Sequence, residues 1–129
     1  YNPRVEGGTM KSENIHIARN FCRMGGYGWG CPGRETHAPM FSAGSCPDDT
    51  HDYLVENNIF DRCLGYLIRE SDYPGNHNTV FSRNTYIQPE GKPFAWLFGE
   101  TYCMDEQAEE TLKTVNGDID PVVIALRES

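Results

Sequence analysis

The residues Val55-Glu56-Asn57-Asn58-Ile59-Phe60 are the clearest indication of the fold, because two more segments of the chain have the same pattern. They are Ile17-Ala18-Arg19-Asn20-Phe21-Cys22 and Phe81-Ser82-Arg83-Asn84-Thr85-Tyr86. Each has an apolar residue three positions before a shared Asn, and an aromatic residue or Cys two positions after it. The alternation before the Asn predicts a short strand with one buried face. An Asn tolerates the backbone of a tight bend and can hydrogen-bond within it, so each segment predicts a strand, a bend and a second strand.

A third apolar run follows each segment after a turn of variable length. These runs are Tyr27-Gly28-Trp29, Tyr66-Leu67-Ile68 and Phe94-Ala95-Trp96-Leu97. The shared Asn residues are 38 and 26 positions apart, which is expected if strands stack in register while the loops between them vary. The longest of these loops is predicted at residues 31–52, a region rich in Gly, Pro, Ser and Asp. A loop of that length within a compact domain is usually functional or disordered.

The segment 55–60, followed by Gly65-Tyr66-Leu67-Ile68, resembles the repeating unit of the pectate-lyase-like superfamily of right-handed parallel β-helices. The resemblance covers roughly residues 12 to 100 and implies an all-β solenoid of about three coils. It further implies that Asn20, Asn58 and Asn84 stack as a ladder inside the tight second turn. In that superfamily the third strand and its flanking loops often hold the active site, and the substrates are polysaccharides.

The C-terminal residues have a different pattern, so the sequence predicts β-helix coils over 1–104 and a cap over 105–129. Asp105 can cap a short helix that ends before Gly117, and 122–126 is an apolar run that predicts a final strand. A solenoid needs such a segment to cover the edges of its last coil. No comparable segment stands at the other end, so we expect missing N-terminal coils, or another chain, to stack there.

The formal net charge of -8 makes a nucleic acid or another polyanion an unfavourable partner. A neutral oligo- or polysaccharide fits the charge better. No apolar run approaches the length that a membrane span needs, and no secretion signal is visible at Tyr1. Both a bacterial cytoplasmic and a secreted location are compatible with the sequence. The chain has five Cys, an odd number, which favours free thiols and therefore an intracellular location.

Acidic residues follow the third apolar run in two of the predicted coils. Glu70 and Asp72 stand after the second run, and Glu100 after the third. Glycoside hydrolysis usually needs one carboxyl group as acid and another as base or nucleophile. If neighbouring coils stack one strand apart, Glu70 and Glu100 lie near each other, and these three residues are the predicted catalytic set.

Flat and cationic side chains near the same runs are candidates for binding sugars. Arg69 can donate hydrogen bonds to a carboxylate or a hydroxyl group. Trp29, Tyr73, Trp96 and Tyr102 can provide flat surfaces for sugar rings. The competing interpretation is that the carboxylates are solvated loop residues and the Trp rings belong to the core.

The predicted loop also contains the candidates for a metal site, and Asp48, Asp49 and Asp52 are the alternative set, for a hard cation such as calcium. Cys31, His37, Cys46 and His51 offer the two thiolates and two imidazoles that zinc prefers. Their spacing matches no standard zinc motif, so the sequence predicts no cofactor and leaves a structural metal as the alternative.

Two functions follow from these patterns. The first is the C-terminal part of a polysaccharide-acting β-helix enzyme, a glycoside hydrolase with paired carboxylates rather than a lyase. The second is a non-catalytic β-helix for glycan binding, adhesion or scaffolding, because a solenoid offers a long rigid surface without a catalytic pair.

Overall fold

The computed structural model describes residues 4–5, 8–9, 12–25, 40–43, 50–70 and 79–127. Over these residues the chain is mostly β-strand, arranged in parallel sheets, with one short helix. The strands are β1 (Arg4–Val5), β2 (Gly8–Thr9), β3 (Ser12–Ala18), β4 (Phe21–Gly25), β5 (Phe41–Ala43), β6 (Thr50–Glu56), β7 (Ile59–Cys63), β8 (Ile68–Glu70), β9 (Val80–Ser82), β10 (Thr85–Pro89), β11 (Pro93–Leu97), β12 (Glu100–Cys103) and β13 (Val122–Leu126). The prediction of an all-β protein is confirmed at this level.

Three sheets are built by pairing strands that lie three apart in chain order, with β12 added to one of them as the neighbour of β11. One sheet has the order β3-β6-β9, a second β4-β7-β10-β13, and a third β5-β8-β11-β12. Every pairing in them is parallel except that of β11 with β12, which form an antiparallel hairpin. Strands β1 and β2 form a small antiparallel pair of their own.

The strand register confirms the equivalence of the three repeated segments. Ile17 pairs with Val55, and Val55 with Phe81, across the first sheet. In the second sheet Cys22 pairs with Phe60, and Phe60 with Tyr86. The side chains in these columns are buried or half-buried, because alternate residues of each strand point to the same face.

The three shared Asn residues form the expected ladder. Asn20 donates from its backbone N and its Nδ2 to Oδ1 of Asn58, each at 3.0 Å. Asn58 makes the same two bonds to Oδ1 of Asn84, again at 3.0 Å. Asn58 and Asn84 are fully buried, so the ladder satisfies polar groups that water does not reach.

The third strand of the first repeat lies elsewhere than predicted. Strand β5, at 41–43, pairs in parallel with β8, so Phe41 and not Tyr27-Gly28-Trp29 corresponds to Ile68. Residues 27–29 lie outside the described residues. The sequence pattern did not predict β5, because this strand is only three residues long and has Gly, Pro and Ser around it. The interval predicted as one loop, 31–52, therefore contains a strand, and β6 already begins at Thr50.

The C-terminal residues fold as a short helix followed by a strand. Helix α1 (Ala108–Thr111) continues as a π-helical turn over Leu112–Asn116. It begins two residues later than a helix capped by Asp105 would, and Asp105 accepts a hydrogen bond from the backbone N of Gln107 in the preceding turn. Gly117 ends it with a left-handed backbone, φ 71°, as expected. Strand β13 has the predicted bounds and pairs with β10.

The core lies between the three sheets and beneath the helix. Its large apolar members are Val55, Phe60, Leu67, Ile68, Phe81, Tyr86, Phe94, Leu97, Met104 and Leu112. Buried polar side chains lie among them: Asn58, Glu70, Asn84, Gln88 and Asp118. Asp61 is also buried, against the guanidinium groups of Arg23 and Arg62.

Candidate functional site

The third sheet brings together those predicted site residues that the structure describes. Arg69 and Glu70 lie on β8, Trp96 on β11, and Glu100 and Tyr102 on β12. The other predicted site residues lie outside the described residues: Asp72, Tyr73, Trp29, Cys31, His37 and Cys46. Of His51, which belongs to β6, only the backbone is described.

The outer face of this sheet presents a cation stacked on an indole ring. Trp96 pairs in register with Arg69, and Cζ of Arg69 lies 4.7 Å from the centroid of the Trp96 ring. Ile68 and Glu70 on either side of Arg69 are buried, so alternation places Arg69 and Trp96 on the outer face. The guanidinium of Arg69 has no ion pair or hydrogen bond with a described residue. Its donors are therefore available to a ligand while the ring beneath fixes their position.

Two hydroxyl groups extend this row of side chains. Thr101 pairs with Trp96 on the side opposite Arg69. The hydroxyl of Tyr66 lies 3.2 Å from Oγ1 of Thr101. With a strand spacing of roughly 4.8 Å, Arg69, Trp96 and Thr101 span about 10 Å across the sheet. We call Arg69, Trp96, Thr101 and Tyr66 the outer row.

The two predicted catalytic glutamates lie in one register row but in different environments. Leu97 pairs with Glu70 on one side and with Glu100 on the other, so Leu97 separates the two acids. Glu70 is 2% exposed and faces the interior, whereas Glu100 is exposed. Two strand spacings separate their backbones by about 10 Å. The described surface gives an external polymer no route to the Glu70 carboxyl.

Burial changes the protonation of Glu70. Burial, and to a smaller extent the charge of Asp118, raise the pKa of Glu70 to about 8. The Glu70 carboxyl therefore holds its proton at neutral pH. Its Oε1 is buried without a hydrogen-bond partner, which is costly for a neutral carboxyl and far more so for a carboxylate.

A second interior acid, Asp118, was missed by the sequence analysis. It is 6% exposed and accepts hydrogen bonds from the Tyr86 hydroxyl and from Nδ2 of Asn116, both at 2.6 Å. Burial raises its pKa to about 6, although these two donors act in the opposite direction. The bridge between Ser82 and Ile119 shows why it points inward: Asp118 occupies the register position of Phe81 in a fourth, partial repeat. Aligning 118–123 with 81–86 would have revealed it.

His16 also has a partner that the sequence analysis did not identify. Its Nε2 lies 2.9 Å from Oε1 of Glu56 on the neighbouring strand. Arg83 approaches the other carboxylate oxygen, Oε2, at 3.5 Å. The group lies on the outer face of the first sheet and is exposed, so solvent screens its charges.

The geometry of the described residues supports neither a reactive thiol nor a metal site. Burial raises the pKa of both the Cys22 and the Cys63 thiol, so neither is an activated nucleophile. In the part of the chain that the structure describes, no three His, Cys, Asp or Glu side chains converge as metal ligands do. Most of the predicted ligands of the long loop lie outside that part, and that site stays a prediction.

Comparison with protein-family models, with curated proteins and with solved structures finds no match. The described residues include no helix with the length and apolar character of a membrane span. The geometry of the sheets and of the outer row is therefore the basis for inferring function.

Proposed function

We propose that the three sheets wind into a right-handed parallel β-helix of the pectate-lyase-like kind, and that the protein binds a neutral oligo- or polysaccharide through the outer row. The pairing of strands three apart, in register, supports the winding. The buried Asn ladder supports it too, because it requires equivalent bends to lie over one another.

The observation that carries the glycan proposal is Arg69 stacked on Trp96. A guanidinium held over an indole presents N–H donors to sugar hydroxyl groups, and the part of the indole that the guanidinium leaves exposed suits the apolar face of a sugar ring. The neighbouring hydroxyls of Thr101 and Tyr66 can both donate and accept. The net charge of -8 favours a neutral ligand over a polyanion.

Binding is better supported than hydrolysis. Hydrolysis by paired carboxylates needs both groups beside the scissile bond. Glu70 is enclosed on the inner side of the sheet, while Glu100 is exposed at the hairpin. The hydrolase remains the second candidate, with Asp72 and Tyr73 as its other predicted residues.

The test is titration with a panel of neutral and acidic polysaccharides by affinity electrophoresis, followed by calorimetry with oligosaccharides of the best binder. We expect Trp96→Ala and Arg69→Ala to weaken binding by about tenfold or more, since loss of a central aromatic or Arg contact costs about 2 kcal/mol. Phe21→Ala is the matched control, because Phe21 is an exposed aromatic on a different sheet. Equal affinity of the Trp96 and Phe21 variants, or no binding to any polysaccharide, contradicts the proposal.

The same panel decides between binding and hydrolysis. Release of reducing ends by the wild type, lost in Glu70→Gln and Glu100→Gln, would favour the hydrolase. Binding without release, unchanged in both variants, is the result that we expect.

We also propose that further β-helix coils, or another chain, stack on β3, β4 and β5. Among the described residues these strands have a neighbour on one side only. The Oδ1 of Asn20 has no hydrogen-bond partner there, although Oδ1 of Asn58 and of Asn84 each accept two. A further bend with an Asn in register would supply the missing donors.

A further inference from the structure

The helix ends in a pair of residues that is open to chemical change. Asn116 is followed by Gly117, and no other Asn of the chain precedes a glycine. A glycine has no side chain to shield its backbone nitrogen, so this nitrogen can reach the side-chain amide of the Asn before it. The reaction that follows is deamidation, which turns Asn into Asp or isoaspartate without an enzyme.

The backbone around Gly117 holds this nitrogen only weakly. The preceding turn, Leu112–Asn116, is π-helical, a rare geometry that occurs in short pieces and often at functional sites. The N–H of Gly117 donates to Leu112 O, and the N–H of Asp118 donates to the same oxygen at 3.0 Å. Gly117 is exposed, and open space surrounds the place where its Cβ would stand. Solvent therefore reaches the nitrogen whenever this last turn opens.

The Asn116 side chain is bound to a buried carboxyl group. Its Nδ2 donates to Oδ1 of Asp118 at 2.6 Å, and the Tyr86 hydroxyl donates to Oδ2, also at 2.6 Å. Asp118 is 6% exposed, and burial raises its pKa to about 6, so this group is a carboxylate at pH 8. Asn116 thus supplies one of the two donors that stabilise a buried negative charge.

Asp118 lies where the C-terminal segment, which we define as residues 105–127, joins the parallel sheets. Tyr86 belongs to β10, so its bond to Asp118 connects the segment to the second sheet. The next residue, Ile119, donates to Phe81 O at 2.9 Å, which connects the segment to the first sheet. A new charge beside Asp118 therefore acts at the attachment of the segment.

We propose that Asn116 is a deamidation site, and that its conversion loosens the attachment of the C-terminal segment to the sheets. The Gly117 nitrogen loses its proton to solvent and bonds to Cγ of Asn116, the bond from Cγ to the amide nitrogen breaks, and ammonia leaves. One water then opens the five-membered imide to Asp or isoaspartate. Either product puts a carboxylate beside Asp118 in place of a donor. The hydrogen bond is lost, and two carboxylates in contact repel each other.

The first test follows the wild type during incubation at pH 8, by peptide mapping with mass spectrometry. Asn57 is the internal control, because it is exposed and precedes Asn58 instead of a glycine. We expect conversion at Asn116 to be at least about fivefold faster than at Asn57, since only Asn116 has an unshielded nitrogen next to it. A rate at Asn116 no higher than the rate at Asn57 overturns the proposal.

The second test compares the attachment of the segment before and after conversion. Each conversion adds one negative charge, so anion-exchange chromatography separates converted from unmodified protein, and hydrogen exchange at pH 8 is measured on both. We expect the amides of 118–126 to exchange at least about tenfold faster in the converted protein, because a hydrogen bond to a charged group is lost. Asn116→Asp should reproduce the effect. Asn57→Asp adds the same charge at an exposed bend and, as the matched control, should exchange as the wild type does.

Two outcomes of the second test also overturn the proposal. One is equal exchange of 118–126 in the converted and the unmodified protein, which aged wild type reveals even if Asn116→Asp does not fold. The other is a rise spread evenly over β6, β7 and β10, which would mean global unfolding instead of a loosened segment.

Discussion

At the scale of single residues, Asn58 determines how the first two sheets join. It is fully buried, and its amide bonds to Asn20, to Asn84 and to the backbone carbonyl of Ile17. Every donor and acceptor of the side chain is used inside the protein. A residue of another type at this position cannot replace both the acceptor and the donors.

We expect Asn58→Ala to lower the free energy of unfolding by about 3 kcal/mol, because the substitution removes all four hydrogen bonds of a buried side chain. Asn20→Ala is the control: Asn20 is exposed at the end of the ladder, and water can replace its bonds, so we expect a loss of about 1 kcal/mol or less. Urea denaturation followed by circular dichroism measures both. Equal losses would mean that the ladder contributes no more in the interior than at its end.

A second prediction at this scale concerns the Tyr86 hydroxyl. Tyr86→Phe removes one of the two donors to Asp118 and keeps the ring against Phe60. We expect a loss of about 2 kcal/mol at pH 8, where Asp118 is charged, and a smaller loss at pH 4.5. Thermal unfolding at the two pH values checks it, and a loss independent of pH would contradict the assigned charge state.

At the scale of elements, the end of the helix depends on one backbone angle. Gly117 has φ 71°, and open space surrounds the place where a Cβ would stand. Gly117→Ala therefore adds strain without a clash and should cost about 1 kcal/mol. Thr114→Ala, on the exposed side of the same turn, is the control and should change stability by less than about 0.5 kcal/mol. Protection of the backbone amides of residues 112–117 against hydrogen exchange measures the effect of both substitutions, and equal effects would contradict the prediction.

The sequence predicted the elements that repeat or have end signals. The repeated pattern predicted that the residues in register with Ile17 and with Cys22 stack across their sheets. The apolar run after Pro121 predicted β13. Strand β5 was missed because three residues among Gly, Pro and Ser carry too little pattern. Glu70 was expected on an outer loop because the third strand was taken to end at Ile68, whereas β8 continues to Glu70 and alternation turns it inward. Asp118 was missed because its repeat is partial and has Pro121 at the position of the Asn.

At the scale of the whole molecule, the ends of the sheets differ. At the C-terminal end Ala108 and Leu112 are buried in the core, and Ile119 bridges to the first sheet. At the other end Ile15 and Met24 are exposed among the described residues, and Phe21 is 62% exposed. Exposed apolar side chains along unpaired strand edges favour association with other strands.

We expect concentration-dependent association through this end, weakened by Ile15→Lys, which places a charge on the edge strand β3. Val80→Lys is the control, because Val80 is about as exposed but lies on β9, away from that edge. Sedimentation velocity over a range of concentrations measures the effect. Association that both variants weaken equally would locate the contact elsewhere.

The Asn ladder gives the molecule a polarity. Each amide oxygen in the column faces the residue with the lower number, so the side-chain dipoles align and add instead of cancelling. The negative pole of this column lies at Asn20. At the opposite pole Pro121 takes the next register position and has no amide to continue the series. A chain that stacks on this pole is therefore favoured electrostatically if it presents N–H donors, and not a further oxygen, to Asn20.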